Sequence, residues 1–302
     1  MAKAYRYLEP RILDKITRLE LRAKLVVEGF VAGMHRSPYR GASVEFAQHR
    51  EYAPGDDLRF LDWKVFARTD RFYVKEFEEE TNLRAVLFLD QSRSMEYASE
   101  GRVTKFEYAA TLSASLAYLL QRQADAVGLE LFAEKLETSL PPQNSRAHLG
   151  DIFKALEEAA PTGGTALGRA LSAVGDRIHR KGVFILVSDL FDDVDSVLRG
   201  LKLLRHRNQD VLVFHVMDPD EVEFPFHRMT LFEGLEGLDK LLVDPRALRE
   251  AYLAEVRSFQ EKVRRGCLRL GVDYQRILTN QPLDVALSAW LAARADRLRR
   301  RK

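Results

Sequence analysis

An α/β fold built on a doubly wound, mostly parallel sheet is the expectation from three observations. Short apolar runs of strand length recur at 85–89 (AVLFL), 183–187 (VFILV) and 211–217 (VLVFHVM). Amphipathic helical patterns separate them, and two of the runs end abruptly in polar residues, Asp90 in one case and Ser188-Asp189 in the other. Strands buried on both faces read as continuous apolar runs, and strand–helix repetition calls for parallel pairing with helices on each side. A composition 46% hydrophobic and 30% charged over 302 residues is enough to fill such a core.

Residues 10–27 set Ile12, Ile16, Leu19, Ala23 and Val26 at spacings of three and four, an outer amphipathic helix with Pro10 near its first turn. Residues 29–69 are the least regular part. Pro54-Gly55-Asp56-Asp57 reads as a turn, because proline presets φ and glycine permits the positive φ that follows. Charged and aromatic side chains interleave around it, among them Arg50, Asp57, Arg59, Asp62, Trp63 and Arg68. One account is a salt-bridged extension packed on the main domain; the other is a partner-recognition surface with arginine and tryptophan as anchors. Residues 71–80 alternate as a strand, and their short link to the Arg84 run predicts a hairpin or neighbouring strands there. The expected division is a helix and irregular flank at 1–80, followed by the α/β domain at 81–302.

Within that domain, 104–122 places Phe106, Ala109, Ala110, Ser113, Ala117 and Leu120 on one helical face. Residues 127–132 and 135–140 read as tightly connected strands ended by Pro141-Pro142, and 145–160 as a helix. Gly163-Gly164-Thr165 opens the next helix, with Leu167, Leu171 and Val174 in register. Strand 182–188, the helix of Val194, Val197, Leu201 and Leu204, and strand 210–217 follow. After a loop (PDEVEFPF) come short strands at 228–233 and 240–243 and a long helix from Pro245. Strand 272–278 and a closing helix over 283–298 complete the order.

Several classes are disfavoured. With 47 basic and 45 acidic residues the net charge is +2, so no overall field draws the chain to nucleic acid or anionic lipid. Arginines in 36–71 and the RLRRRK tail are the only local basic features, and the tail reads as a solvated helix end. The lone Cys267, at core spacing, reads as a packed thiol. No apolar run approaches the roughly 18 to 20 residues that span a bilayer, and the first residues lack a secretory apolar core, so a cytoplasmic location is expected.

Three loops at the carboxyl edge of the expected sheet bear oxygen ligands: Asp90, Ser92 and Ser94 in the first, Thr165 in the second and Asp189 in the third. Taken singly, Ser92, Ser94 or Thr165 could be a helix cap and Asp189 a turn residue. Taken together, two carboxylates and three hydroxyls without histidine or cysteine match a hard divalent cation, Mg2+ or else Mn2+ or Ca2+, better than zinc or copper. An ion so held keeps open positions for an outside carboxylate, which is binding by a metal bridge. The alternative is a metal-dependent, phosphoesterase-like hydrolase using the same ion as a Lewis acid. Against it, no histidine is placed as a base, no Gly-x-x-x-x-Gly-Lys loop or His-Glu-x-x-His occurs, and Asp192 and Asp193 read more simply as helix caps.

The Asp90-x-Ser92-x-Ser94, Gly-Gly-Thr165 and Ser188-Asp189 set resembles the metal-ion-dependent adhesion site of von Willebrand factor A-like domains. The upstream run His49-Arg50-x-Tyr52-x-Pro54-Gly55-Asp56-Asp57-x-Arg59-x-x-Asp62-Trp63, with Ala67-Arg68 and Lys75-x-Phe77-x-x-Glu80, is similar to the signature of the domain of unknown function 58 family. That resemblance implies a von Willebrand A-like domain with a family-specific flank and no established enzymatic activity. It also implies a protein partner, a MoxR-type AAA+ ATPase or its client, with which such proteins are thought to assist maturation or assembly. Members often have membrane-spanning segments near the amino terminus; this chain shows none, which leaves peripheral membrane association open.

Overall fold

The computed structural model describes residues 19–34, 49–51, 73–75, 83–235, 240–288 and 291. Residues 1–38 with 83–302 form one compact unit and 39–82 a second.

In the larger unit six strands form one sheet: β3 (Arg84–Asp90), β4 (Ala126–Phe132), β5 (Leu136–Gln143), β6 (Val183–Ser188), β7 (Asp210–Met217) and β10 (Asp273–Leu278). Their order is β10-β7-β6-β3-β4-β5, parallel throughout except for the antiparallel edge strand β5. The expected doubly wound architecture is what forms. Strand alternation splits the apolar side chains between two cores. Ala85, Leu87 and Leu89 of β3 join Val183, Ile185 and Val187 of β6 in one layer. Phe88 joins Phe184 and Leu186 in the other, with Phe88 stacked on Phe132 at 4.2 Å between ring centres.

Helices cover both layers. On the first lie α1 (Leu19–Met34), α2 (Lys105–Arg122), α3 (Arg146–Glu158) and the helical residues 283–288. Helix α2 begins with a capping box, Thr104 and Glu107 bonding reciprocally to each other's backbone, and its Ala109, Ala114 and Ala117 let it approach the sheet closely. The second layer is covered by α4 (Leu167–Arg177), α5 (Val194–His206) and α7 (Pro245–Arg269). A Cβ at Gly200 would sit 2.6 Å from the Leu171 Cβ, so α4 and α5 cross at a distance only glycine allows. Cys267 is buried in this layer, where burial pushes its thiol up to about 12, as befits a packed residue.

Five expectations are revised. Helix α1 runs through Gly29 and Gly33 to Met34 rather than ending near residue 27, since an internal glycine costs a helix only about 1 kcal/mol. Its Leu19, Ala23, Val26 and Val27 pack in the first core, so it belongs with the larger unit rather than with a 1–80 flank. The strand at Tyr73–Lys75 (β2) does not join β3; it pairs antiparallel with His49–Glu51 (β1), and β3 has both edges filled by β4 and β6. Strand β5 continues through Pro141-Pro142 to Gln143, which an edge strand tolerates because one side needs no amide donors. Finally, the PDEVEFPF loop contains a short helix, α6 (Pro219–Glu223), capped by Asp218 and Glu221.

The two short strands expected at 228–233 and 240–243 form as β8 (Thr230–Phe232) and β9 (Leu241–Val243), and they pair antiparallel. The Pro54–Asp57 turn, residues 10–18, 292–298 and the basic tail lie outside the described residues, as do Asp57, Arg59, Asp62, Trp63 and Arg68. Arg50 is in β1, opposite Val74.

At the β4–β5 irregularity a Cβ on Gly128 would come within 2.6 Å of the Leu140 carbonyl and 2.7 Å of the Pro142 nitrogen, both backbone. Gly128→Ala is therefore expected to destabilise the protein by about 1–3 kcal/mol in urea unfolding; an unchanged midpoint would contradict this close approach.

Candidate functional site

The strand order brings Asp90 and Asp189 to one place. β3 and β6 are parallel neighbours in register from Ala85–Val183 to Leu89–Val187. They are also the pair at which the order reverses, β4 and β5 lying to one side and β7 and β10 to the other. Such a switch point leaves a crevice beyond the carboxyl ends of its two strands. Asp90 is the last residue of β3, and Asp189 directly follows β6.

Asp90 is fully buried. Its Oδ1 accepts the Ser92 amide at 2.9 Å and its Oδ2 the Ser188 hydroxyl at 2.6 Å. Ser188 Oγ in turn accepts the Leu190 amide at 2.8 Å. The Ser92 and Ser94 hydroxyls lie 3.1 Å apart, and Ser94 helps to keep the Asp189 carboxylate ionised. Asp189 Oδ1 accepts the Phe191 amide at 3.2 Å, while Oδ2 accepts from Lys105 Nζ at 2.7 Å. Lys105 is only 2% exposed and also donates to Glu221 Oε1 at 2.7 Å.

Thr165 lies in a loop sewn to the Asp90 turn: the Thr162 amide donates to the Gln91 carbonyl at 2.8 Å and the Arg93 amide to the Gly163 carbonyl at 3.1 Å. Gly163 turns this strap with φ of +63°, where glycine is at ease. Asp90, Ser92 and Ser94 are thus linked by hydrogen bonds, Asp189 stands near enough for its charge to raise Asp90, and the backbone just before Thr165 is tied to the Asp90 turn.

The cap accounts of Ser92 and Thr165 do not hold, whereas Asp189 does act as a turn residue, its Oδ1 accepting the amide two residues on. Ser92 precedes a 3-10 turn (Arg93–Glu96) without capping it through its side chain. Helix α4 has Ala166, not Thr165, at its N-cap; its Gly168 amide is satisfied by the Asp192 carboxylate at 3.0 Å. Asp193 caps α5 through the Ser196 amide. Asp192 and Asp193 are therefore spent on two different helices.

Electrostatics separates the two buried carboxylates. Burial first, and then the negative charge of Asp189, push Asp90 from 3.8 up to about 7. Burial would raise Asp189 as well, but the Lys105 ammonium outweighs it and holds Asp189 below the usual carboxylate range. Lys105 itself would be lowered by burial; Asp189 and Glu221 carry it above the ordinary lysine value. Glu221 is raised by burial, with Lys105 opposing. Behind Asp189, the buried His215 is pushed down to about 4 by desolvation; its Nδ1 shares a hydrogen with the Tyr274 hydroxyl at 2.7 Å. Among the described residues no three histidine, cysteine or acidic side chains are grouped to hold a metal ion. Any cation here would depend on the hydroxyls.

Lys105 and Glu221 were not singled out in the sequence. The available signals were a lysine on the apolar face of α2's first turn and the Asp218-Pro219-x-Glu221 capping pattern.

The family described as "Protein of unknown function DUF58" matches residues 48–262. The chain belongs to this family. An uncharacterized protein of Mycobacterium tuberculosis strain H37Rv is 26% identical over 267 residues, 86% of this chain and 83% of that protein. Among solved structures, BatB from Bacteroides thetaiotaomicron aligns with a TM-score of 0.48 at 18% identity, over 71% of this chain and 99% of that one. An aerotolerance-related membrane protein from Bacteroides fragilis aligns at 0.46 and 22%, over 68% and 96%. The SpRpn10 VWA domain aligns at 0.40 and 11%, over 68% and 93%. No helix among the described residues is long and apolar enough to cross a membrane.

A pH dependence follows from Asp90. Its folded value lies above its unfolded one, so between them the native state holds a proton that the unfolded chain releases, and stability falls as pH rises from about 4 to 7. In chelator, wild type should lose stability across that interval and Asp90→Asn should lose less, read from urea midpoints. Parallel profiles would contradict the assignment.

Proposed function

We propose that this chain is a non-enzymatic protein-interaction module in which Asp90, Ser92, Ser94, Thr165 and Asp189 hold a hard divalent cation, Mg2+ foremost, that docks an acidic side chain of a partner. The observation that supports it most is Asp90, a fully buried carboxylate that is in no ion pair among the described residues and stands near a second buried carboxylate. Burying such a group without a counter-charge is unfavourable, and a cation would relieve it. The donor set fits: every candidate ligand is oxygen, and two of the hydroxyls already face each other at 3.1 Å. When bound, the ion supplies positive charge and open positions for an outside carboxylate. Asp90 would contribute an uncompensated charge, Ser92, Ser94 and Thr165 neutral oxygens, and Asp189 a carboxylate whose charge Lys105 already offsets.

Membership in the family is the basis for proposing a MoxR-type AAA+ ATPase, or its client, as the partner, in the cytoplasm and in a maturation or assembly role. Arg50, Asp57, Arg59, Asp62, Trp63 and Arg68 of the 39–82 unit are proposed as further partner contacts. The hydrolase alternative is less well supported, because Asp192 and Asp193, its candidates for a second ion, are engaged as helix caps.

Saturating Mg2+ is expected to raise the Tm of wild type by several degrees and leave that of Asp90→Ala where it is, since a ligand stabilises only the state that binds it. Pull-down of a purified MoxR-type ATPase should likewise be lost in chelator and with Asp90→Ala. Capture that is indifferent to both would refute the metal bridge.

A further inference from the structure

Lys105 stands where nothing in a simple oxygen-ligand site requires it. It springs from the first turn of α2 and is almost wholly buried. Its ammonium lies 2.7 Å from Asp189 Oδ2 and 2.7 Å from Glu221 Oε1. Glu221 is itself fixed, because its other oxygen accepts the Asp218 amide at 2.7 Å as part of the α6 capping box. Asp218 is anchored in turn by the Ser99 amide at 3.1 Å and the Thr279 hydroxyl at 2.9 Å. The lysine therefore has a rigid support in Glu221 and the α6 capping box. Asp189 has both oxygens engaged, one by Lys105 and one by the Phe191 amide.

We infer that Lys105 is a positioning residue that keeps the charge of Asp189 paired, so that a cation at this site meets one uncompensated carboxylate, Asp90. The consequence concerns the partner. A divalent ion facing a single protein charge keeps net positive charge, and that residual charge is what an acidic side chain is drawn to. Were the charge of Asp189 unpaired, two protein carboxylates would neutralise the ion, which would then bind more tightly but attract an outside carboxylate less. Lys105 thus trades cation affinity for partner affinity. This inference rests on the metal-bridge reading above and adds a role for a residue outside the ligand set.

The test is a Mn2+ titration by electron paramagnetic resonance. Lys105→Met alone would leave Asp189 and Glu221 buried without a counter-charge, so the informative variant is the pair Lys105→Met with Glu221→Gln, which removes one charge of each sign and leaves the net charge unchanged. It is expected to bind Mn2+ about tenfold more tightly than wild type, the factor that about 1.4 kcal/mol commands. Adding Asp189→Asn should abolish that gain, whereas the same change in wild type should weaken Mn2+ less than Asp90→Asn does. Glu221→Gln alone, which keeps the buried Lys105–Asp189 pair, serves if the paired variant does not fold. It leaves the whole ammonium charge on Asp189 and should weaken Mn2+ several-fold. Equal Mn2+ affinity in wild type and in the charge-neutral pair, or unchanged affinity in Glu221→Gln, would overturn the role of Lys105 while leaving the site itself standing. No Mn2+ binding by wild type or by any variant would instead remove the metal-bridge reading, and this inference with it.

Discussion

The constraint on which everything else depends is the enclosure of β3. It has a parallel strand on each edge and a helical layer on each face, so every side chain from Ala85 to Leu89 is committed to a neighbour. Such a strand releases its polar residues only where it ends. Asp90 is the first residue that can be polar, and it emerges next to the end of β6 because the strand order reverses between those two. The apolar pattern that makes the sheet also sets out the site.

At that edge the chain puts two carboxylates in similar burial and treats them differently. Asp189 receives a lysine and a backbone amide. Asp90 receives neutral donors only and feels the charge of Asp189 besides. Buried charges are normally paired. The pairing of one and not the other is what makes the crevice a directional electrostatic device rather than a satisfied ion-pair network, and in the proposed function it is Asp90 that calls for a cation.

Much of this was legible in the sequence because it rests on local signals. The runs at 85–89, 183–187 and 211–217 have no alternation, which only strands buried on both faces allow, and Gly-Gly before Thr165 marks a sharp strap. What was not legible depends on the tertiary arrangement. Nothing local says that Tyr73–Lys75 pairs with His49–Glu51 rather than with β3, since that outcome turns on β4 and β6 having taken both edges. The Pro-Pro pair in β5 looks like a strand end unless the strand is known to lie at the sheet edge. Lys105 reads as an ordinary first-turn residue beside a capping threonine; its burial between Asp189 and Glu221 comes from segments 84 and 116 residues away in sequence. Asp192, by its position, reads as a cap of the Val194 helix that it precedes, yet its carboxylate satisfies the Gly168 amide of α4, a tertiary contact that no local pattern announces.

The most direct test of the central claim is the anomalous scattering of crystals of this protein soaked in Mn2+. The account predicts one strong peak within about 2.5 Å of an Asp90 carboxylate oxygen and of the Ser92 and Ser94 hydroxyls, absent from Asp90→Ala crystals. An empty map at that point, with the two serine hydroxyls still bonded to each other, would contradict it.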